Sequence, residues 1–161
     1  MLLIRAAAPT DDTSLAAFLD RLDAARRPSG FEAADLVPPR EAFTCASSPE
    51  LGCAFVAVSE ADGLPEVVGA AAWCPLGSGD ARAVLAVADG WRLGDVGDRL
   101  VAELAASADP RGVRRFVVDV VPHNAALRAS ARRLGMRERR RTDGRTVLVE
   151  ITIAPVAPGR G

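Results

Sequence analysis

The stretch that most constrains this chain runs from Arg82 to Val121. The apolar run Val84–Ala88 leads into WRLGDVGDRL, then VAELAASA, then GVRRFVVDVV. Leu100, Val101, Leu104 and Ala108 recur on one helical face, so a helix is predicted over about 96–108. Asp109-Pro110-Arg111-Gly112 supplies its stop. Arg115–Val121 is apolar and β-branched, as a buried central strand should be. A helix between two strands is the crossover that parallel neighbours need. The strands near 82–88 and 115–121 are therefore expected side by side and parallel.

The other segments fit around that unit. Leu2–Ala6 reads as a strand. Pro9-Thr10-Asp11-Asp12 reads as a helix start with Thr10 as N-cap. Leu15, Phe18, Leu19 and Leu22 put a helix over about 13–26. Segment 28–50 carries four prolines and one short helical candidate around Pro39–Cys45. It reads either as a region over a site or as a surface excursion. Cys53–Ser59 and Glu66–Pro75 read as strands joined by Ala61-Asp62-Gly63, and Gly77-Ser78-Gly79-Asp80 turns the chain into the strand at 82–88. Pro122-His123-Asn124 leads into a helix over about 125–134 that ends at Gly135. Arg137–Arg141 and Thr146–Ile153 flank Thr142-Asp143-Gly144, a hairpin signal. Residues 154–161 read as a frayed tail. The expected class is α/β (α+β), one domain over 1–153, with a mixed, largely antiparallel sheet flanked by helices.

Composition narrows the partners. The net charge is -1 and only 4% of residues are aromatic, which argues against nucleic acid and anionic membrane as partners. Every basic residue is arginine, and Lys, Tyr and Gln are missing, a bias expected of a GC-rich bacterial genome. Cys45, Cys53 and Cys74 lack metal-ligand spacing, so reduced thiols in a cytoplasmic protein are expected, with no metal. Arg5 and Asp11 interrupt the apolar start, so no signal peptide is expected, and no apolar run reaches spanning length.

The segments VLAVADGWRLGDVGDRLVAEL and GVRRFVVDVVPHNAALRASARRLGM, in this order around a central strand, resemble the GNAT superfamily of N-acetyltransferases. The likeness covers about 2–153 and is most similar in wording to the bacterial protein-lysine acetyltransferase branch. In that superfamily a Q/R-x-x-G-x-G/A turn binds the pyrophosphate of acetyl-CoA. Arg92 matches its first position and Gly97 its last. Asn124 and Leu134-Gly135-Met136 match the later segment. The resemblance implies that Arg92, Leu93, Gly94, Asp95, Val96, Gly97 and Asp98 border the pyrophosphate. It also implies that Leu85, Ala86 and Val87 give backbone groups to the thioester and pantetheine arm, between splayed strands, and that Asn124 touches the CoA. Acetyl-CoA as co-substrate and an amine acceptor on a small molecule or protein are the implied partners. Homodimers are common in the superfamily, though no residue here demands one. The physics of the turn agrees, because a helix N-terminus with an adjacent arginine attracts phosphate. Asn124 also suits a plain helix N-cap.

Three residues depart from the pattern. Asp95 replaces the middle glycine and brings a carboxylate toward a pyrophosphate. With Asp98 it also resembles a capping pair that would occupy the helix's own first amides. Arg82 stands where many relatives carry a glutamate base, and arginine cannot accept a proton. It can bind an acidic group of a substrate or face solvent. Ala131 stands where many relatives carry tyrosine. The remaining base candidates are Asp80, Glu66, Asp119 and His123, with the Val87 amide as oxyanion donor. Arg137, Arg139 and Arg141 alternate on one strand face, as solvated charge or as a site for an acidic partner or the CoA 3′-phosphate. The alternative to an acetyltransferase is a catalytically degenerate GNAT domain that serves as a binding or regulatory module.

Overall fold

A computed structural model describes residues 1–26, 43, 52–61, 63–91, 93–119, 125–144 and 146–153. The expectations for the rest of segment 28–50 and for the tail 154–161 lie outside these residues. So do those for Arg92, His123 and Asn124.

Seven strands form one sheet: β1 (Leu2–Ala6), β2 (Cys53–Ala61), β3 (Leu64–Gly77), β4 (Asp80–Val87), β5 (Arg115–Asp119), β6 (Arg137–Asp143) and β7 (Thr146–Thr152). Their spatial order is β1-β2-β3-β4-β5-β7-β6. Every neighbouring pair is antiparallel except β4 with β5. That exception is the parallel pair the crossover required. The α/β class, with its largely antiparallel mixed sheet, is therefore the observed one.

Among the described residues three helices of more than one turn flank the sheet: α1 (Asp12–Arg26), α2 (Leu93–Ala108) and α3 (Ala125–Arg133). The sheet's two faces are covered by different helices. Alternation along β4 sends Ala81, Ala83, Leu85 and Val87 into the core beneath α2 and α3, with Val96, Leu100, Leu104, Leu127 and Ala131. Val84 and Ala86 join the opposite core with Leu15, Phe18, Leu19 and Leu22 of α1. Phe43 is buried in this second core. No helix among the described residues is long and apolar enough to cross a membrane.

Two helix starts differ from expectation. Thr10 does not cap α1. It lies within a 3-10 turn, Pro9–Asp11, that precedes the helix. Asp11 does the capping, because its Oδ2 accepts the Ala8 N–H at 2.7 Å. Helix α2 starts at Leu93, three residues earlier than its apolar spacing suggested. Gly94 and Asp95 are exposed and carry no hydrophobic signal, so periodicity alone finds the start too late. Asp95 is thus the third helical residue and is exposed; it is not the cap. Asp98 is not its capping partner, because Arg133 of α3 holds its carboxylate.

The helix end before β6 is closed by Gly135 at φ 76°. Met136 N–H donates to the Ala131 carbonyl and Gly135 N–H to that of Arg132, at 2.9 and 3.0 Å. This double closure needs the left-handed conformation that glycine takes without steric cost.

Candidate functional site

The parallel ladder between β4 and β5 is short. It joins Asp80–Arg82 to Arg115–Val117, while β4 runs on to Val87. Val118 and Asp119 of β5 pair with β7 instead. The two strands therefore part after Arg82 and Val117. Ala88 N–H donates to the Val68 carbonyl at 2.8 Å. In an antiparallel ladder successive residues turn their backbone groups alternately to the two sides. The Ala86 amide thus faces β3, as that of Ala88 does. The Leu85 and Val87 amides face the gap that β5 has left.

The start of α2 stands over the same place. Gly69 lies opposite Val87 across the β3–β4 ladder. A Cβ on Gly69 would come within 2.9 Å of Val96 Cγ1 and 3.0 Å of Leu100 Cδ1. Only a bare backbone lets the first turn of α2 sit this close to the end of β4. The sequence reading missed Gly69, since its partner lies on another element. A helix start leaves its first-turn amides without carbonyl partners of its own. Here these belong to Leu93, Gly94 and Asp95. Val96 and Gly97 are buried against the sheet, so they seat the turn.

A cation from another helix stands near this start. Arg133, on the last turn of α3, grips Asp98 through Nε and Nη2, at 2.9 and 2.7 Å. Its Nη2 also donates to Ser130 Oγ at 3.1 Å. The Arg133 hydrogen bonds, with help from Ser130, hold the Asp98 carboxyl below the usual carboxylate range. Asp98 is therefore committed to bridging α2 and α3. The Arg133 guanidinium lies 4.0 Å from where a Gly94 Cβ would stand. Spacing along α3 gave no signal of this, because the partner is on a different helix.

The described residues accordingly fit an anionic ligand at the start of α2. First-turn amides, an unencumbered Gly94 and a fixed guanidinium converge, and a gap with two inward amides lies alongside. Asp95 opposes negative charge there, and Asp98 already balances the charge of the Arg133 guanidinium.

No protein-family model matches the sequence, and no curated protein matches it. Solved structures do match. A GNAT-family acetyltransferase of Staphylococcus aureus aligns with TM-score 0.69 at 12% identity, over 96% of this chain and 100% of that one. The GNAT domain of PAT from S. lividans aligns with TM-score 0.65 at 19% identity, over 92% and 89%. The ribosomal-protein-S18-alanine N-acetyltransferase of Escherichia coli aligns with TM-score 0.62 at 20% identity, over 99% and 98%. The chain has the GNAT fold.

Within this GNAT fold the base candidates separate. Asp80 Oδ1 accepts from Arg115 Nε at 2.8 Å, at the closed end of the β4–β5 pair. Glu66 is exposed and paired with Arg21 at 3.1 Å. Both carboxylates are thus held by arginines. Asp119 ends β5, opposite Leu148. A cavity of about 280 Å³ lies between α1, the start of β3 and the turn after β4, lined by Phe18, Arg21, Glu66, Val68, Ala88 and Trp91 among others. Arg82 is exposed on β4 opposite Cys74.

Proposed function

We propose that the chain is an acyl-CoA-dependent N-acetyltransferase that moves an acetyl group from acetyl-CoA to an amine. The observation that carries this reading is the parting of β4 from β5 beside the open start of α2. Bound acetyl-CoA would supply an acetyl thioester: the acceptor nitrogen forms the new C–N bond as C–S breaks, one amine proton is lost, and CoA leaves as the thiol. The Val87 N–H donates to the carbonyl oxygen as charge collects there. The Leu85 amide and carbonyl line the pantetheine arm. The amides of Leu93, Gly94 and Asp95, with Arg133, Arg92 and Asn124, hold the phosphates. Asp119 and His123 are the candidates for the proton acceptor. The three cysteines without metal-ligand spacing suit a cytoplasmic protein.

One observation favours the second reading, a degenerate GNAT domain that binds or regulates. The exposed carboxylate of Asp95 stands in the first turn of α2 and opposes a pyrophosphate. The two readings divide in one experiment. Mass spectrometry of the purified protein for bound CoA is followed by a thiol-release assay over a panel of amines. An acetyltransferase releases CoA only when an amine is added. No turnover of any amine, with weak or no CoA carried by the purified protein, would establish the module instead.

A further inference from the structure

The sheet registers align two rows of side chains on the α1 side of its C-terminal half. Cys74 faces Arg82, Arg82 faces Val117, Val117 faces Glu150, and Glu150 faces Arg139. One step along, Asp80 faces Arg115, Arg115 faces Thr152, and Thr152 faces Arg137. The alternate residues Ala81, Ala83, Phe116, Val118, Val149 and Ile151 fill the opposite core, which fixes the face on which the rows stand.

Within these two rows the charges do not cancel, while Asp119 and Asp143 stand further along the same face. Arg115 reaches Asp80 at 2.8 Å and Glu150 at 3.7 Å. Arg141 reaches Glu150 at 3.1 Å and Asp80 at 3.8 Å. Two acids and two arginines thus form a closed quartet, with both acids largely buried. Arg82, Arg137 and Arg139 share the face, are exposed and have no carboxylate partner among the described residues. The whole chain carries a net charge of -1, so this excess of cation is local. Arg82 occupies the last rung before β4 and β5 part.

We propose that Arg82 binds the carboxylate of the acceptor, which is a small ω-amino acid, while Arg137 and Arg139, three strands away on β6, add to the positive field of the face. The proposal rests on the transferase reading, since it names the acceptor for that same gap. Guanidinium is suited to carboxylate, which it grips through two parallel hydrogen bonds. The spacing selects the kind of acid. Arg82 and Val87 lie five residues apart on β4, about 16 Å at the usual strand rise. A long arginine side chain spans part of that distance. The acceptor's carboxylate and amine must bridge the rest, so they are separated by several bonds rather than attached to one carbon.

The test is a thiol-release assay of the full chain with acetyl-CoA. The acceptors are glycine, β-alanine, 4-aminobutyrate and 6-aminohexanoate, each against the alkylamine of equal length. The expected result is a kcat/KM at least about tenfold higher for the longer acids than for their alkylamines. Arg82→Gln brings that ratio to about one, mainly through KM. Arg140→Gln, on the opposite face of β6, keeps it. Turnover without preference for the acids overturns the proposal and leaves the transferase reading intact. If no amine turns over, saturation-transfer NMR of 6-aminohexanoate on the same protein decides. Binding that Arg82→Gln abolishes upholds the arginine site and sinks the transferase reading. Failure of the wild-type chain to bind the acid overturns the proposal.

Discussion

Two helix starts in this chain carry acids, and they are finished in opposite ways. At the entry to α1, Asp11 turns inward. Arg5 donates to it through Nη1 and Nη2 at 2.6 and 2.8 Å, and the Ala8 amide donates as well. The residue is 7% exposed, and its own N–H donates to the Ala8 carbonyl at 2.8 Å. At the entry to α2 the acids turn away from the amides: Asp98 goes to Arg133 on α3 and Asp95 to solvent. The first start is closed by its own sequence. Among the described residues no side chain caps the second, which stands next to a gap in the sheet. A helix start that a fold leaves uncapped beside a cleft has its donors available for a ligand, whereas a capped one serves stability alone.

The comparison breaks most severely at Gly69, which seats the open start. Gly69→Val places branched carbon where Val96 and Leu100 already stand. Overpacking of this kind costs about 3 kcal/mol. Urea unfolding should show a large drop in midpoint with an unchanged slope. A variant as stable as the parent would mean that α2 does not need this close approach.

The closed start gives the next effect. Asp11→Ala removes a cap and leaves Arg5 without its carboxylate, at a cost of about 2 kcal/mol. The same residue sets a pH dependence. The Arg5 hydrogen bonds hold the Asp11 carboxyl below its ordinary value, against a desolvation that opposes them. A carboxyl depressed in the folded state adds stability above its unfolded pKa of about 4 and loses it as pH falls through the folded value. Thermal melts of Asp11→Asn should therefore fall less between about pH 4 and pH 2 than those of the parent. Equal acid sensitivity would show that Asp11 is not the group responsible.

The contrast between the starts also explains what the sequence could and could not reveal. Helices and strands were legible because Leu15, Phe18, Leu19, Leu22 and Leu100, Val101, Leu104 repeat with helical spacing, and Arg115–Asp119 is β-branched. The parallel pair followed from chain order alone. Caps were misread, since Thr10 and Asp11 are both good cap residues and only the Arg5 contact chooses between them. The start of α2 was placed late, because Leu93–Asp95 is judged by hydrogen bonds rather than by burial. Gly69 and Arg133 were invisible, since each acts on an element distant in sequence. In the candidate site, the residues identified by pattern lie along one turn, while those that shape it come from β3 and α3.

The smallest effect probes the open start directly. An acid in the first turn of a helix favours the helix by about 0.3–1 kcal/mol through the macrodipole. The same charge repels a bound pyrophosphate through solvent-weakened Coulomb energy of comparable size. Asp95 therefore exchanges ligand affinity for helix stability. Asp95→Asn keeps the side chain's shape and removes only the charge. Calorimetric titration should find acetyl-CoA bound about tenfold more tightly, a gain of about 1.4 kcal/mol. Thermal melting of the ligand-free variant should fall slightly at the same time. The opposite signs matter more than either magnitude. A variant that lost stability without gaining affinity would show that Asp95 faces no phosphate, and the start of α2 would then be open to solvent rather than to a ligand.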